Sequence, residues 1–118
     1  MSYVDGFLIP VPKKNLKTYR RMANEGKKLW MKYGALDYKE CVGEDLRAPF
    51  ARPFTKLLKT KPSETVVFSY IVYKSRKHRD SVNKKVMADA SMDPEMMKNM
   101  PFDMKKMCYG GFKPIVEA

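Results

Sequence analysis

The chain is short of the residues from which metal and redox centres are usually built. It has one histidine, and no Cys or His partners stand at ligand spacing from it, so no metal is expected. Its two cysteines, Cys41 and Cys108, are too few for the disulfide framework of a small secreted domain, and reduced thiols in a cytoplasmic protein are the simpler reading. No apolar run is long enough to cross a bilayer, so no membrane partner is expected. The opening MSYVDGFLIP lacks a basic region and carries Asp5 inside its apolar run, which excludes a signal peptide. Acidic residues are scarce as well. Thirteen face 24 Lys and Arg, leaving a net charge of +11. That excess favours solubility and attraction to polyanions and is silent on fold. There is no internal repeat, no low-complexity tract and no motif specific enough to name a reaction.

What is there is a globular composition, 44% hydrophobic and 31% charged over 118 residues, enough for one domain spanning 1–118 with a single core. The chain is organised around residues 64–87, ETVVFSYIVYKSRKHRDSVNKKVM. The β-branched and aromatic run 66–73 reads as a buried strand. At Ser75 the pattern changes to a basic, helix-compatible segment, and a hydroxyl in that place is a helix N-cap. A strand feeding a helix through so short a turn sends the helix back across the sheet.

The other elements arrange around this unit. Residues 3–9 form a first strand with apolar residues on both faces, and Pro10 and Pro12 are expected to end it. In residues 15–33, Leu16, Tyr19, Ala23, Gly26, Trp30 and Tyr33 advance by threes and fours and make the apolar stripe of a helix. Asn15 is its expected cap and Gly34 its left-handed stop. The stripe thins at Ala23 and Gly26, which leaves room for something bulky. Residues 35–42 form a second strand, with Leu36, Tyr38, Glu40 and Val42 on one face and Asp37 and Lys39 on a wetter one. Residues 43–62 are a connection with three prolines and a short apolar segment at 54–58. A second helical piece is expected at 93–100, with Pro94 in its first turn. The last strand, 107–116, is interrupted by Gly110 and Gly111, which suggests a bulge or a close approach. The order βαββαβ predicts an α+β fold, the ferredoxin-like plait: a four-stranded antiparallel sheet with both helices on one face. The other face also carries apolar residues. A second copy of the chain is its simplest cover, so a homodimer is expected.

Several groups are candidates for chemistry. His78 stands one turn before Val82 and is either a general base facing the sheet or a structural residue in the helix's first turn. Asp5, Glu40 and Asp103 are carboxylates in or beside apolar strands. They serve acid–base chemistry in a pocket, or they pair with Arg76 and Arg79. The strand aromatics Tyr3, Phe7, Tyr38, Phe68, Tyr70, Tyr73, Tyr109 and Phe112 line either a small-molecule pocket or a core and dimer interface. The methionine series 87–107 is plastic packing. The basic helix faces are solvated, or they meet phosphates, although the Gly and aromatic run of an RNA-recognition plait is missing.

Four stretches, YVDGFLIPVPKKNL, GALDYKECVGED, residues 64–87 and NMPFDMKKMCYGGFKPIVEA, together resemble the YbaA-like family of bacterial proteins of unknown function. The likeness is weakest over 46–58. The matching positions are Asp5, Gly6, Glu40, Ser75, Arg76, His78, Arg79, Asp80, Asn83, Pro101, Phe102, Asp103, Gly110 and Gly111. The resemblance implies a dimeric α/β barrel, in which two ferredoxin-like plaits join their sheets. That superfamily includes small cofactor-independent monooxygenases, haem-handling enzymes and ligand-binding regulators. The resemblance carries no catalytic role to any of these positions, and no cofactor is expected. The leading expectation is a cytoplasmic homodimer that binds a small hydrophobic molecule or acts as a monooxygenase-like protein. Asp5, Glu40 and His78 are the catalytic candidates. Tyr38, Tyr70, Arg76, Arg79, Asp103 and Tyr109 are the ligand-binding ones. The alternatives are a basic RNA-associated protein and a non-catalytic interaction scaffold.

Overall fold

A computed structural model describes residues 2–47, 49–92, 94 and 98–118. The elements run β1 (Tyr3–Pro12), a 3-10 turn (Lys13–Asn15), α1 (Leu16–Lys32), β2 (Asp37–Val42), α2 (Phe54–Leu57), β3 (Glu64–Tyr73), α3 (Arg76–Met87), a second 3-10 turn (Met104–Lys106) and β4 (Cys108–Phe112). The strands form one sheet in the order β2-β3-β1-β4, with every neighbouring pair antiparallel. Each crossover helix therefore joins two parallel strands with an antiparallel one between them. This is the ferredoxin-like plait that the βαββαβ order predicts. Half of the helical piece expected at 93–100, residues 93 and 95–97, lies outside the described residues. Among those that are described, no helix is long and apolar enough to cross a membrane.

β1 departs from expectation. It does not stop at Pro10 but runs to Pro12, with Pro10 opposite Val66 and Pro12 opposite Glu64. The reason lies in which backbone groups have partners. Leu36 and Gly43 donate to the carbonyls of Val72 and Val66, so even-numbered residues of β3 turn their backbone groups toward β2. The odd-numbered ones turn toward β1, and by the register they meet odd-numbered residues of β1. Pro10 and Pro12 thus lie on the lane that points toward β4, whose pairing with β1 ends at Leu8 and Cys108. A missing N–H costs nothing where no acceptor faces it.

The termini of the helices follow their sequence signals in part. Ser75 caps α3, its hydroxyl accepting the His78 N–H at 3.0 Å. Gly34, at φ +110°, supplies the left-handed residue after α1. Asn15 occupies the capping position of α1, but its side chain makes no cap bond there and instead donates to the Pro101 carbonyl at 3.0 Å. It joins the start of α1 to the turn before β4. At the far end of α1, the Tyr33 hydroxyl and Lys32 both donate to Asp89, just past α3. These bonds and that of Ser91 hold the Asp89 carboxyl well below the usual carboxylate range.

The core lies between the sheet and the helices in two clusters. Ile9, Val11, Tyr19, Ala23, Val67 and Phe102 form one, and Ala35, Ile71, Tyr73, Val82 and Val86 the other. Odd-numbered residues of β1 and β3 face this layer. Even-numbered ones face away, where Phe68 and Phe112 stay 47% and 60% exposed on an uncovered apolar surface. β4 is shorter than expected, Cys108–Phe112, and carries no bulge. Its glycine pair answers a close approach instead: a Cβ on Gly111 would collide with the Tyr3 hydroxyl.

One buried ion pair ties the layers together. Asp5 on β1 is 2% exposed and accepts from Arg79 of α3 at 2.8 Å and from the Tyr109 hydroxyl of β4 at 3.0 Å. Burial opposes the Arg79 charge, but the bonds to Asp80 and Asp5 outweigh it and hold the guanidinium above its ordinary value. Removing the cation leaves a carboxylate in the core. We expect Arg79→Ala to lower stability by about 3 kcal/mol or more in urea unfolding. The Asp89 contacts predict an acid effect. A carboxyl depressed in the folded state stabilises it above the unfolded value, near 4, and loses that contribution as pH falls. Asp89→Asn should therefore show a smaller loss of stability than the parent between about pH 5 and pH 2.

Candidate functional site

The thin part of the α1 stripe opens a cavity. Ala23 and Gly26 present no bulk toward the sheet, and the space between them and β1, β2 and β3 is about 620 Å³, in the range of small-molecule sites. Phe7, Ile9, Ile71, Leu29, Phe102 and five methionines, Met22, Met87, Met92, Met100 and Met107, make most of its wall apolar. A second cavity of about 420 Å³ opens on the other flank of α1, between Leu16, Arg20, Asn24 and Lys27 and the end of the sheet. Tyr19, Ala23, Tyr38 and Glu40 belong to both walls.

Glu40 is the polar centre of this partition. It stands on the helix-facing side of β2, opposite Ser69. One carboxylate oxygen accepts from Tyr19 at 2.7 Å and the other from Tyr38 at 2.8 Å. Tyr19 comes from α1 and Tyr38 from β2, so the carboxylate joins helix to sheet. Burial, and after it the Glu40 charge, push both phenols well above their ordinary value. They remain neutral donors at any physiological pH. Gly26 makes room for this arrangement, since a Cβ there would stand 2.9 Å from the Tyr38 oxygen.

Two further polar groups line the larger cavity. Asn83 on α3 accepts at its side-chain oxygen from Trp30 Nε1 at 3.0 Å and from the Tyr73 hydroxyl at 3.3 Å. The Asp5–Arg79–Tyr109 group forms the far end, where burial, and next the bond to Asp5, raise Tyr109. Tyr73 is raised by burial and then by the Asp5 charge. The cavity thus has an apolar body, several neutral hydroxyls and three carboxylates, of which Asp5 and Glu25 have their cations.

The candidates drawn from the sequence divide cleanly. Asp5, Glu40, Tyr38 and Tyr109 come together in the cavity wall, and Arg79 backs Asp5. His78 is not among the lining residues. Its Nδ1 accepts the Lys74 N–H at 2.9 Å and its ring stands edge-on to Tyr73, which makes it part of the β3–α3 corner. Asp103 caps the second 3-10 turn, accepting from the Lys105 N–H at 3.0 Å. Tyr70 lies on the open sheet face beneath Lys39, and Arg76 is exposed at the start of α3. Tyr19, Trp30 and Asn83 belong to the site without having been singled out as its residues. Tyr19 and Trp30 had a signal: on a helix stripe otherwise apolar, a hydroxyl and an indole N–H each need a buried acceptor.

Comparison with known proteins places this architecture. The family described as "Protein of unknown function (DUF1428)" matches residues 2–104. The uncharacterized protein YbaA of Escherichia coli K12 is 41% identical over 117 residues, covering 99% of each chain. The YbaA proteins of Escherichia coli O157:H7 and Shigella flexneri match to the same extent. Asp5, Glu40 and Arg79, which frame the cavity, all fall within the matched region. The chain belongs to the DUF1428 family.

Proposed function

We propose that this protein binds a small, mainly apolar molecule in the cavity between α1 and the sheet, and that it does so as a homodimer. The observation that carries the binding reading is the cavity itself, about 620 Å³ of apolar wall interrupted by a few fixed polar groups. Cytoplasmic residence fits the two free, exposed cysteines.

The dimer reading rests on the other face of the sheet. Leu8, Phe68, Tyr70, Val72 and Phe112 share that surface by the strand register, and Phe68 and Phe112 remain about half exposed or more. A copy of the same surface covers it with no other gene product.

Glu40 favours a second reading, cofactor-free oxygenation. A carboxylate fixed by two neutral phenols inside an apolar cavity can take a proton from an acidic O–H or C–H of a bound substrate. The resulting anion would then pass an electron to dioxygen and bond to it through carbon, the peroxide would take back the proton from Glu40, and loss of water with cleavage of the O–O bond would leave a quinone, one oxygen atom ending in each product. Consumption of dioxygen with a phenolic substrate, abolished in Glu40→Gln, would support this reading.

Filling the cavity should remove binding. With 2-naphthol as the probe, Ala23→Phe is expected to weaken binding roughly tenfold or more while the fold is retained by circular dichroism. Unchanged affinity would contradict the assignment of the cavity as the site. For the dimer, sedimentation should give twice the chain mass at micromolar concentration. The interface should bury on the order of 2,000 Å². Phe68→Lys, on the open face rather than in the core, should yield a folded monomer. A parent protein that sediments as a monomer would refute the arrangement.

A further inference from the structure

Among the described residues lining the larger cavity, every charged side chain but one has an oppositely charged partner. Asp5 has Arg79 at 2.8 Å. At the mouth, Lys28 is bonded to Glu25 and Lys32 to Asp89, each at 3.3 Å. Glu40 has only the two tyrosine hydroxyls, and among the described residues no cation stands within 4 Å of it. Arg20 and Lys27 line the smaller cavity beside it, but both are exposed to water and reach no bond with it. Water and salt screen cations in such places. Glu40 is half-buried, a carboxylate only partly hydrated and held by two phenols without a counter-ion, and a ligand that brings a positive charge would supply one.

We infer that the cavity is built for an organic cation, a molecule with an apolar or aromatic body and a protonated amine, whose ammonium group bonds to Glu40. This rests on the binding reading above and assigns it a ligand class. The hydrogen-bond inventory fits. Each Glu40 oxygen already accepts one tyrosine and has a lone pair to spare, and an ammonium offers up to three donors. Ser69, buried directly opposite Glu40 on β3, carries a further hydroxyl. Trp30 and Tyr38, with ring centroids 6.3 Å apart, both line the cavity, and aromatic rings attract cations. An acid of the same shape would set a second negative charge beside Glu40, and a neutral alcohol would leave Glu40 without its partner.

The test uses three probes of nearly equal shape, 2-phenylethylamine, 2-phenylethanol and 3-phenylpropionate, at neutral pH. Binding is followed by the fluorescence of Trp30, the sole tryptophan, which lies in the cavity wall. The amine is expected to bind roughly tenfold or more tighter than the alcohol, and the acid weakest. Glu40→Gln should bring the amine to the level of the alcohol, and Glu40→Asp should keep part of the preference. An amine that binds no better than the alcohol overturns the inference and leaves the cavity-binding reading standing. So does a preference that survives in Glu40→Gln. If none of the three binds, both fall together. The comparison on the parent protein stands by itself if the variants fail to fold.

Discussion

The architecture hangs on a carboxylate buried in the middle of the sheet. Asp5 sits on a central strand with almost no access to water, and a charge so placed is tolerated only when fully matched. Its partners come from far along the chain, Arg79 from α3 and Tyr109 from β4. Satisfying Asp5 therefore sets both the rotation of α3 and the seat of β4. Once Arg79 points at the sheet, the helical spacing brings Val82 and Val86 onto it as well. It also turns Asn83 toward Trp30 and Tyr73. The Arg79 guanidinium stacks on the Tyr3 ring, so even the first residue of β1 is held by the same group.

The second carboxylate plays a different part. Glu40 holds α1 to β2 through Tyr19 and Tyr38, but with phenols in place of a cation. Two helix positions without bulk, Ala23 and Gly26, leave the space between α1 and the sheet unfilled there. Its ends are secured elsewhere, by Asn15 at the start and by Tyr33 and Lys32 at the finish. A helix held at both ends and hollow in the middle can keep an internal space open without losing its place. That division separates the groups that fix the ends of α1 from those that line the cavity beneath its middle.

Much of this was legible in the amino acids. The order of the elements, the Ser75 cap, the Gly34 stop and the missing bulk at Ala23 and Gly26 follow from local rules that need no partner. Asp5 with Arg79 was one of a few sensible pairings. What stayed hidden depended on where distant segments meet. Nothing in the neighbourhood of His78 says that its ring will accept a backbone N–H at the helix corner rather than face the sheet. Asn15 looks like a cap until the Pro101 carbonyl arrives from the other end of the chain. The prolines of β1 read as a stop because their harmlessness depends on how far β4 extends.

Those prolines have an effect on how the molecule meets its neighbours. Where β4 ends, the last third of β1 has no strand partner on the side away from β3, although Ile9, Pro10 and Val11 are buried under other parts of the chain. Whenever its cover loosens, an unpaired lane on an apolar strand invites extension by another polypeptide, the first step toward cross-β assembly. Pro10 and Pro12 remove the donors from that lane at two alternate positions, so an incoming segment would find carbonyls with no N–H groups between them. The shortness of β4 is thereby made safe. Growth by strand addition is left to the outer borders of β2 and β4, and β2 carries Lys39 and Glu40 along its length.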